Sequence, residues 1–303
     1  MVGSVAFDAI KTPYGHVDRI LGGAATYFSL AASFFTQVRV VAVVGSDFTD
    51  KEEQVFRARG VDISGIVRQE GKSFFWAGEY GENVNEAQTL DTQLGVFAAF
   101  NPQIPNGYQD TKYLFLANID PVLQVNVRKQ MNGASFVGGD TMNFWIKGKR
   151  QELEDMLRTV DALLINDTEA KMLAEDASLP RAAQTILKMG PKALVIKHGE
   201  YGATVFFQDG AFGIGRHPFR APTMPIEVVT DPTGAGDSFA GGFMGYIASQ
   251  DKLTREVFKR AMFYGGVMGS FAVEAFGTGR LQELTREEIE ERYKIFRELT
   301  HIE

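Results

Sequence analysis

Short apolar segments alternate with amphipathic helical segments along most of this 303-residue chain. Buried strands are predicted at residues 38–44, 162–165 and 193–197, with helical segments between the strands. This order is typical of βαβ units, in which parallel strands form one sheet and helices cover both of its faces. The pattern predicts an α/β fold with a doubly wound, mostly parallel sheet, and a first core strand at residues 2–7.

Residues 61–97 interrupt the alternation. Two strand-like segments, 73–80 and 88–94, occur there without a helical segment between them. We expect them to form a small antiparallel sheet, joined by residues 10–21, beside the main one. The alternative is an ordinary hairpin that packs on its own domain. An aromatic run in the first segment needs cover, which a substrate or a second subunit would supply; the run is Phe74, Phe75 and Trp76.

Composition limits the classes of function. A net charge of −7 argues against a nucleic-acid backbone as the principal partner. The absence of cysteine excludes a disulfide framework, a thiolate metal site and a cysteine nucleophile. No apolar stretch approaches the length of a membrane span and no basic leader precedes the first predicted strand, so we expect a cytoplasmic protein. We expect a single domain over residues 1–303.

Residues 231–242 carry the strongest chemical signal. The turn Gly234-Ala235-Gly236 opens an apolar helix, and Asp237 follows it directly. Such a turn presents backbone N–H groups at a helix N-terminus, where the helix dipole favours an anion. Transfer of a phosphoryl group to an alcohol would use both features, because the N–H groups stabilise charge and the carboxylate accepts the hydroxyl proton. The alternative is a tight turn in which Asp237 caps the helix.

The sequence of residues 231–237, Asp-Pro-Thr-Gly-Ala-Gly-Asp, resembles the C-terminal signature of the PfkB (ribokinase-like) kinases. The resemblance extends over nearly the whole chain. It implies a ribokinase-like fold with a β-sheet lid that closes over the substrate, ATP as phosphate donor, and Asp237 as catalytic base. It also implies an anion hole that begins at Gly234 and uses the N–H groups of Ala235, Gly236 and Asp237.

Two further features are expected on the acceptor side. Gly22 and Gly23 stand at a turn into a helix of small residues, where the backbone can approach a ligand closely. A Gly-Gly pair is often only a turn, but this one resembles the N-terminal PfkB signature, which contacts the sugar. Asp8 follows the first predicted strand, at the strand end where open α/β sheets bind ligands. It matches a family Asp that accepts hydrogen bonds from vicinal hydroxyls, and a capping or turn role is the alternative.

Other matches concern the nucleotide and its metal ion. Asn166 and Glu169 begin a helix at a spacing that fits both a capping box and the family's Asn-x-x-Glu motif, which influences magnesium and phosphate binding. One carboxylate and one amide suffice for Mg²⁺ when water completes its shell. Lys197 is expected to pair with phosphate, with a surface lysine as the alternative. The remaining residues expected near the nucleotide are Gly199, Gly202, Thr233, Gly234 and Gly236.

Asp231 matches a family position that often binds a monovalent cation together with backbone carbonyl groups. Potassium is the expected ion, and carbonyl groups near Val273 and Gly277 are the expected companions. Such a cation would order the loop without contacting the substrate.

Departures from the family pattern concern the acceptor. Pro232 replaces the usual Thr of the signature, Tyr27 stands where many sugar kinases carry Asn, and Ala24 stands where ribokinases carry Lys. The last two put ribose itself in doubt. A sugar is the first expectation, and a ribonucleoside, stacked on the aromatic run and Tyr27, is the alternative. A homodimer with crossing lids would bury the aromatic run, although a monomer fits equally well.

Two other classes of function are weaker. A catalytically silent nucleotide or sugar sensor would not need Asp237 and the Gly-Ala-Gly turn. A nicotinamide-dependent oxidoreductase is disfavoured because Phe239 occupies the third glycine position of the dinucleotide fingerprint.

Overall fold

The computed structural model describes residues 1–81, 83–84 and 87–300. Its strands, in chain order, are β1 (Ala6–Thr12), β2 (Gly15–Gly22), β3 (Arg39–Val44), β4 (Asp62–Arg68), β5 (Phe74–Tyr80), β6 (Ala87–Gln93), β7 (Tyr113–Leu116), β8 (Phe136–Gly139), β9 (Ala162–Asn166), β10 (Ala193–Lys197), β11 (Ala203–Phe207) and β12 (Phe219–Ala221). Its helices are α1 (Ala24–Ala32), α2 (Asp50–Arg57), α3 (Pro121–Gln130), α4 (Asn143–Gly148), α5 (Arg150–Leu157), α6 (Asp167–Ala174), α7 (Leu179–Met189), α8 (Ala235–Ala248), α9 (Arg255–Ala272), α10 (Gly279–Glu283) and α11 (Arg286–Thr300).

The main sheet runs in the order β12-β11-β10-β9-β8-β7 and continues into β3 and β4. Val2 joins the two parts, because it bridges Val41 of β3 and Leu116 of β7 in parallel. The strands from β7 to β10 are parallel, as are β3 and β4, whereas β11 and β12 add an antiparallel edge. The predicted doubly wound, mostly parallel sheet is confirmed.

The predicted core strand at residues 2–7 is wrong in its extent. Val2 bridges the main sheet, but Ala6 and Phe7 already belong to β1, which lies in a second sheet. All three residues are buried, so an apolar run cannot reveal which of two sheets it joins. Asp8 consequently lies within a strand of the second sheet and not at the end of a core strand.

The second sheet, called the small sheet below, consists of β1, β2, β5 and β6 in the order β2-β1-β5-β6. Its outer pairs are antiparallel, and the β1–β5 pair at its centre is parallel. The predicted segments 73–80 and 88–94 match β5 and β6 to within one residue at each end. Residues 62–68, which the interval 61–97 assigns to this sheet, instead form β4 and pair with β3 in the main sheet. As an edge strand β4 is largely exposed, so it lacks the continuous apolar run of a buried parallel strand.

Alternate residues of the inner strands pack on opposite faces of the main sheet. In β9, Ala162 and Leu164 join a core with α1, α2, α8 and α9. Leu163 and Ile165 join the opposite core, with the helices from α3 to α7. In the described part of the chain, none of the helices combines the length and the apolar character that crossing a membrane requires.

Helices α1 and α8 are in direct backbone contact. A Cβ added at Gly241 would overlap the Phe28 carbonyl oxygen and approach the Ala31 Cβ to 2.8 Å. One added at Gly245 would lie 3.0 Å from the Ala32 Cα. Later residues of α1 thus face later residues of α8, so the helices run in the same direction and their N-termini lie together.

We expect Gly241→Ala to lower the free energy of unfolding by about 1–3 kcal/mol, because the added methyl group overpacks the α1–α8 contact. Gly148→Ala is the matched control. Gly148 also lies in a helix, and nothing lies within 4 Å of the Cβ that it would gain, so its stability should be unchanged or slightly higher. Urea unfolding followed by circular dichroism measures both variants. Equal stability of the two would contradict the close contact.

Candidate active site

Three neighbouring parallel strands end at the same edge of the main sheet. Asp140 directly follows β8, Asn166 is the last residue of β9, and Lys197 is the last residue of β10. Open α/β sheets bind ligands at the carboxyl ends of their strands. The N-terminus of α8 lies at the same edge, because a Cβ at Gly236 would lie 3.1 Å from the Lys197 Nζ. The fold therefore brings predicted residues from three separate motifs together.

Gly234 begins α8 in a conformation that favours glycine. It is the N-cap residue, with a φ of 73°, in the left-handed region where other residues are strained. A Cβ there would overlap the ring of Tyr27, which is 1% exposed and packs directly beneath the turn. The predicted stacking of Tyr27 on a nucleobase is therefore wrong, because the ring supports the turn instead. Its hydroxyl group has no hydrogen-bond partner among the described residues.

The turn leaves two backbone donors free for an anion. The Ala235 N–H donates to the Pro232 carbonyl oxygen at 3.2 Å. Within residues 1–81, 83–84 and 87–300, no acceptor is found for the Gly236 or Asp237 N–H. The predicted anion hole thus has two free donors and not three, because the turn itself uses the first.

Asp237 is the third residue of α8, beside Asp140 and Lys197. Gly234, and not Asp237, is the helix cap, and no hydrogen bond to the Asp237 carboxylate occurs in the described part of the chain. Desolvation raises the pKa of Asp237 to about 7; the charge of Asp140 also raises it, and that of Lys197 lowers it. A carboxylate with a pKa near neutrality is suited to accept a proton from an alcohol.

Lys197 supplies the positive charge of the site. Its ammonium group lies 3.9 Å from the Asp140 carboxylate, and 18% of its side chain is exposed. Burial alone would lower the pKa of Lys197, but Asp140, Glu169 and Asp237 together raise it above its ordinary value. The lysine is therefore fully charged and faces the cluster, so the surface-lysine alternative is wrong.

Asp140 is a site residue that the sequence analysis does not identify. It is buried, and its carboxylate accepts a hydrogen bond from the Thr141 N–H at 2.8 Å. Burial raises the pKa of Asp140, and Lys197 and the Thr141 bond oppose that rise. A signal was available, since a carboxylate that directly follows an apolar strand is positioned like Asn166 and Lys197. No family motif matches the residues around Asp140 in the sequence analysis, so this signal stands alone.

Asn166 and Glu169 form the capping box of α6. The Asn166 Oδ1 accepts from the Glu169 N–H, and the Glu169 Oε2 accepts from the Asn166 N–H, both at 2.8 Å. The capping box that the spacing of this pair predicts is therefore present. The box holds Glu169 beside the cluster, where desolvation and Asp140 raise its pKa to about 7 and Lys197 lowers it.

The carboxylates at this edge are of the chemical type that binds magnesium. Asp140 and Glu169 repel each other, as the effect of Asp140 on the pKa of Glu169 indicates, and a divalent cation would relieve that repulsion. The described ranges contain no group of three or more metal-binding side chains. Magnesium bound with a nucleotide needs only one or two carboxylates, because phosphate and water supply the remaining oxygens.

Asp8 lies against the Gly22–Gly23 turn, opposite the α8 cluster. A Cβ at Gly22 would overlap the Asp8 carboxylate, and the Gly23 backbone donates a hydrogen bond to it. Desolvation and the charge of Asp231 raise the pKa of Asp8 to about 7, the Gly23 bond lowers it, and Asp237 adds a smaller rise. The three predicted acceptor residues therefore lie at the N-terminus of α1, next to the N-terminus of α8, where the charge of Asp237 acts on Asp8.

Asp231 orders the loop that precedes α8. Its buried carboxylate accepts from the Thr233 N–H at 2.9 Å and from the Gly277 N–H at 2.8 Å. The Val273 carbonyl oxygen, an expected cation ligand, already accepts from the Thr230 and Asp231 N–H groups. Protein hydrogen bonds thus hold this loop, and the potassium site stays a prediction.

Gly199 and Gly202 lie in the turn between β10 and β11, directly after Lys197. The His198 N–H donates to the Gly202 carbonyl oxygen at 2.7 Å. Gly202 has a φ of 90°, and a Cβ there would overlap the Ala221 carbonyl oxygen. Packing therefore explains this glycine, and nucleotide contact by the turn stays a prediction.

Comparison with known families identifies the type of site. A family model described as pfkB family carbohydrate kinase matches residues 1–284, which include all of the side chains described above. The chain belongs to the pfkB family of carbohydrate kinases.

Relatives of this pfkB-family kinase match it over most of its length. The cytidine kinase of Thermococcus kodakarensis is 29% identical over 254 residues, which cover 81% of this chain and 87% of that protein. The structure of Burkholderia thailandensis nucleoside kinase with inosine has a TM-score of 0.77 at 20% identity and covers 97% of both chains. The structure of Thermotoga maritima ribokinase has a TM-score of 0.75 at 21% identity, over 97% of this chain and 98% of that one.

The predicted ribokinase-like fold and the predicted activity are confirmed at this level. The pfkB-family kinase is an ATP-dependent phosphotransferase with a sugar or a nucleoside as acceptor. The oxidoreductase hypothesis is excluded by the family.

The pH dependence of this pfkB-family kinase tests the electrostatics of the cluster. Asp237 must be ionised to accept a proton, so kcat/KM should rise with pH through about 7. Lys197→Met removes a charge that lowers the pKa of Asp237, so the rise should move to higher pH. Asp140→Asn removes a charge that raises this pKa, so the rise should move to lower pH. pH profiles of kcat/KM measure both shifts.

Lys192→Met is the control for the lysine variant, because Lys192 pairs with Asp161 away from the cluster. Its profile should match that of the unmodified enzyme. Shifts of the two cluster variants in the same direction would contradict the assignment of the rise to Asp237.

Proposed function

We propose that this kinase transfers the γ-phosphoryl group of ATP to a ribose hydroxyl of a nucleoside. The sequence alone favours a simple sugar, with the nucleoside as the alternative. The position of Trp76 favours the nucleoside over the simple sugar, and it is the observation that carries the proposal. Two relatives support it, since one is named a cytidine kinase and another is a nucleoside kinase in complex with inosine.

Trp76 lies on the face of the small sheet that also carries Tyr80, whose hydroxyl contacts Thr233 in the loop before α8. It is directly opposite Asp8 in the parallel β1–β5 pair, so both side chains project from the same face. Its six-membered ring lies over Gly78, which has no side chain to displace it. Its Nε1–H donates to the Thr89 Oγ1 at 3.3 Å. A half-exposed indole therefore lies beside the carboxylate that would bind vicinal ribose hydroxyls, where a base can stack on it.

The other aromatic residues of the run have different surroundings. Phe74 stacks on Phe97, with ring centroids 5.3 Å apart, and Phe97 packs against the main-sheet core, so Phe74 belongs to the packing between the small sheet and that core. Phe75 pairs with Phe7 and projects from the opposite face, because side chains alternate along a strand. Trp76 is thus the member of the run suited to contact a base. A homodimer through the small sheet stays a prediction.

The site residues suit a positioning mechanism for this reaction. Asp237 accepts the proton of the attacking hydroxyl as its oxygen bonds to the γ-phosphorus, while the bond from that phosphorus to the β–γ bridging oxygen breaks and ADP leaves. The free N–H groups of Gly236 and Asp237 stabilise the charge on the transferred group, and Lys197 offsets part of the charge of the phosphates. Magnesium, when bound, neutralises phosphate charge; Glu169 and Asp140 would hold it directly or through water.

The substrate class is tested by ADP release from ATP and Mg²⁺ across a panel of ribonucleosides and free sugars. We expect release above the acceptor-free rate with ribonucleosides, cytidine and inosine included, and little with ribose or fructose. Turnover with sugars alone would contradict the nucleoside proposal and leave the kinase intact. No release with any acceptor, in a protein that binds ATP, would favour the sensor hypothesis.

Replacement of the indole tests base stacking directly. Stacking of a base on an aromatic ring contributes about 1–3 kcal/mol, so Trp76→Leu should raise the KM for a nucleoside by about 5- to 150-fold. Phe75→Leu is the matched control, because that ring projects from the other face, and its KM should change little. Equal KM values for the Trp76 variant and the unmodified enzyme would contradict the stacking role.

A further inference from the structure

Two hydrogen bonds join the small sheet to the loop that leads into α8. The Thr12 hydroxyl of β1 donates to the Thr230 carbonyl oxygen at 2.9 Å. The Thr233 hydroxyl donates to the Tyr80 hydroxyl of β5 at 3.2 Å. These bonds come from the two central strands of the small sheet, and they lie at the two ends of residues 230–233. The loop continues directly into the turn that carries the free N–H donors.

Residues outside the small sheet also hold residues 230–233. The Asp231 carboxylate binds the N–H groups of Thr233 and Gly277, and the Val273 carbonyl oxygen binds the start of the loop. The Tyr27 ring supports the glycine turn that follows. Because the Thr233 N–H is bound by Asp231 and the next residue, Gly234, packs on the Tyr27 ring, a shift at Thr233 is passed to the turn.

Tyr80 is chemically suited to this contact. It follows Trp76 by four residues in β5 and therefore projects from the same face. Burial raises the pKa of Tyr80 to about 12; the Thr233 bond lowers it, and the charges of Asp231 and Asp8 raise it further. Its hydroxyl is therefore neutral at neutral pH. It accepts from Thr233 and retains its own proton for a second acceptor.

We propose that Tyr80 is a positioning residue for phosphoryl transfer, which acts by holding Thr233 and with it the turn at the start of α8. The free N–H donors of α8 are then aligned when the small sheet packs on the loop. The inference rests on the proposed function and adds a physical connection between acceptor and anion sites. Asp8 and Trp76, the proposed acceptor contacts, lie in the same two strands as Thr12 and Tyr80, so acceptor binding and turn geometry are coupled.

Tyr80→Phe tests the proposal, because it removes the hydroxyl and keeps the ring. We expect kcat to fall about tenfold, since small misplacements of catalytic groups act on the transition state. The KM values for ATP and for the acceptor should change less than about twofold, because ground-state contacts remain. Tyr14→Phe is the matched control: Tyr14 is an exposed tyrosine in the turn between β1 and β2 of the small sheet, and its loss should leave kcat unchanged.

A double-mutant cycle tests whether Tyr80 acts on the turn through Thr233. In a Thr233→Val background the partner hydroxyl is absent, so Tyr80→Phe should lower kcat no further. Multiplicative losses would overturn the proposal, and so would a Tyr80→Phe enzyme with unchanged kcat. A raised acceptor KM with unchanged kcat would overturn it as well, because it assigns Tyr80 to acceptor binding.

The same assay separates this inference from the proposed function. An unmodified protein that releases no ADP with any acceptor would overturn both. An active unmodified protein with an equally active Tyr80→Phe variant would overturn the positioning role alone.

Discussion

One lysine faces three carboxylates at the carboxyl edge of the main sheet, and the chemistry of the site depends on that imbalance. Lys197 lies 3.9 Å from Asp140, and the charges of Glu169 and Asp237 act on it as well. Because this cluster of charged side chains is withdrawn from water, the pKa values of Glu169 and Asp237 rise to about 7. Nucleotide phosphates add more negative charge, which such a site accepts only with further positive groups. The free N–H donors of α8 and a magnesium ion are the groups that we propose for this role.

The contact between α1 and α8 gives this cluster a fixed frame. Each of the two helices begins at a glycine turn, Gly23 beside Asp8 and Gly234 above Tyr27. Gly241 lets the helices touch, so their packing holds the acceptor turn next to the anion turn. Phosphoryl transfer depends chiefly on positioning and electrostatics. The small residues along α1 and α8 therefore serve the reaction as well as the stability of the fold.

Local patterns in the sequence were enough to predict the main sheet and the most distinctive turn. The apolar periodicity of β9 and β10 identifies buried parallel strands, and the Gly-Ala-Gly turn before Asp237 has a chemistry of its own. Long-range pairing is what the sequence could not supply. An apolar run that contains Val2 and Phe7 fits either sheet, and the largely exposed β4 lacks the continuous apolar run that indicates a strand of the main sheet. Asp140 was missed because its place after an apolar strand is a weak signal by itself, and its contact with Lys197, which supports a role in the site, is a long-range one.

Asp237→Asn tests the central claim most directly. With ATP, Mg²⁺ and the best acceptor of the panel, kcat for ADP release should fall by about 10²- to 10⁴-fold, which is the usual contribution of a positioned general base. Equilibrium titration should still detect ATP binding, since the variant removes a negative charge near the phosphates. Asp251→Asn, at an exposed carboxylate between α8 and α9, should behave as the unmodified enzyme. Near-normal turnover of the Asp237 variant would contradict the assignment of this residue as the base.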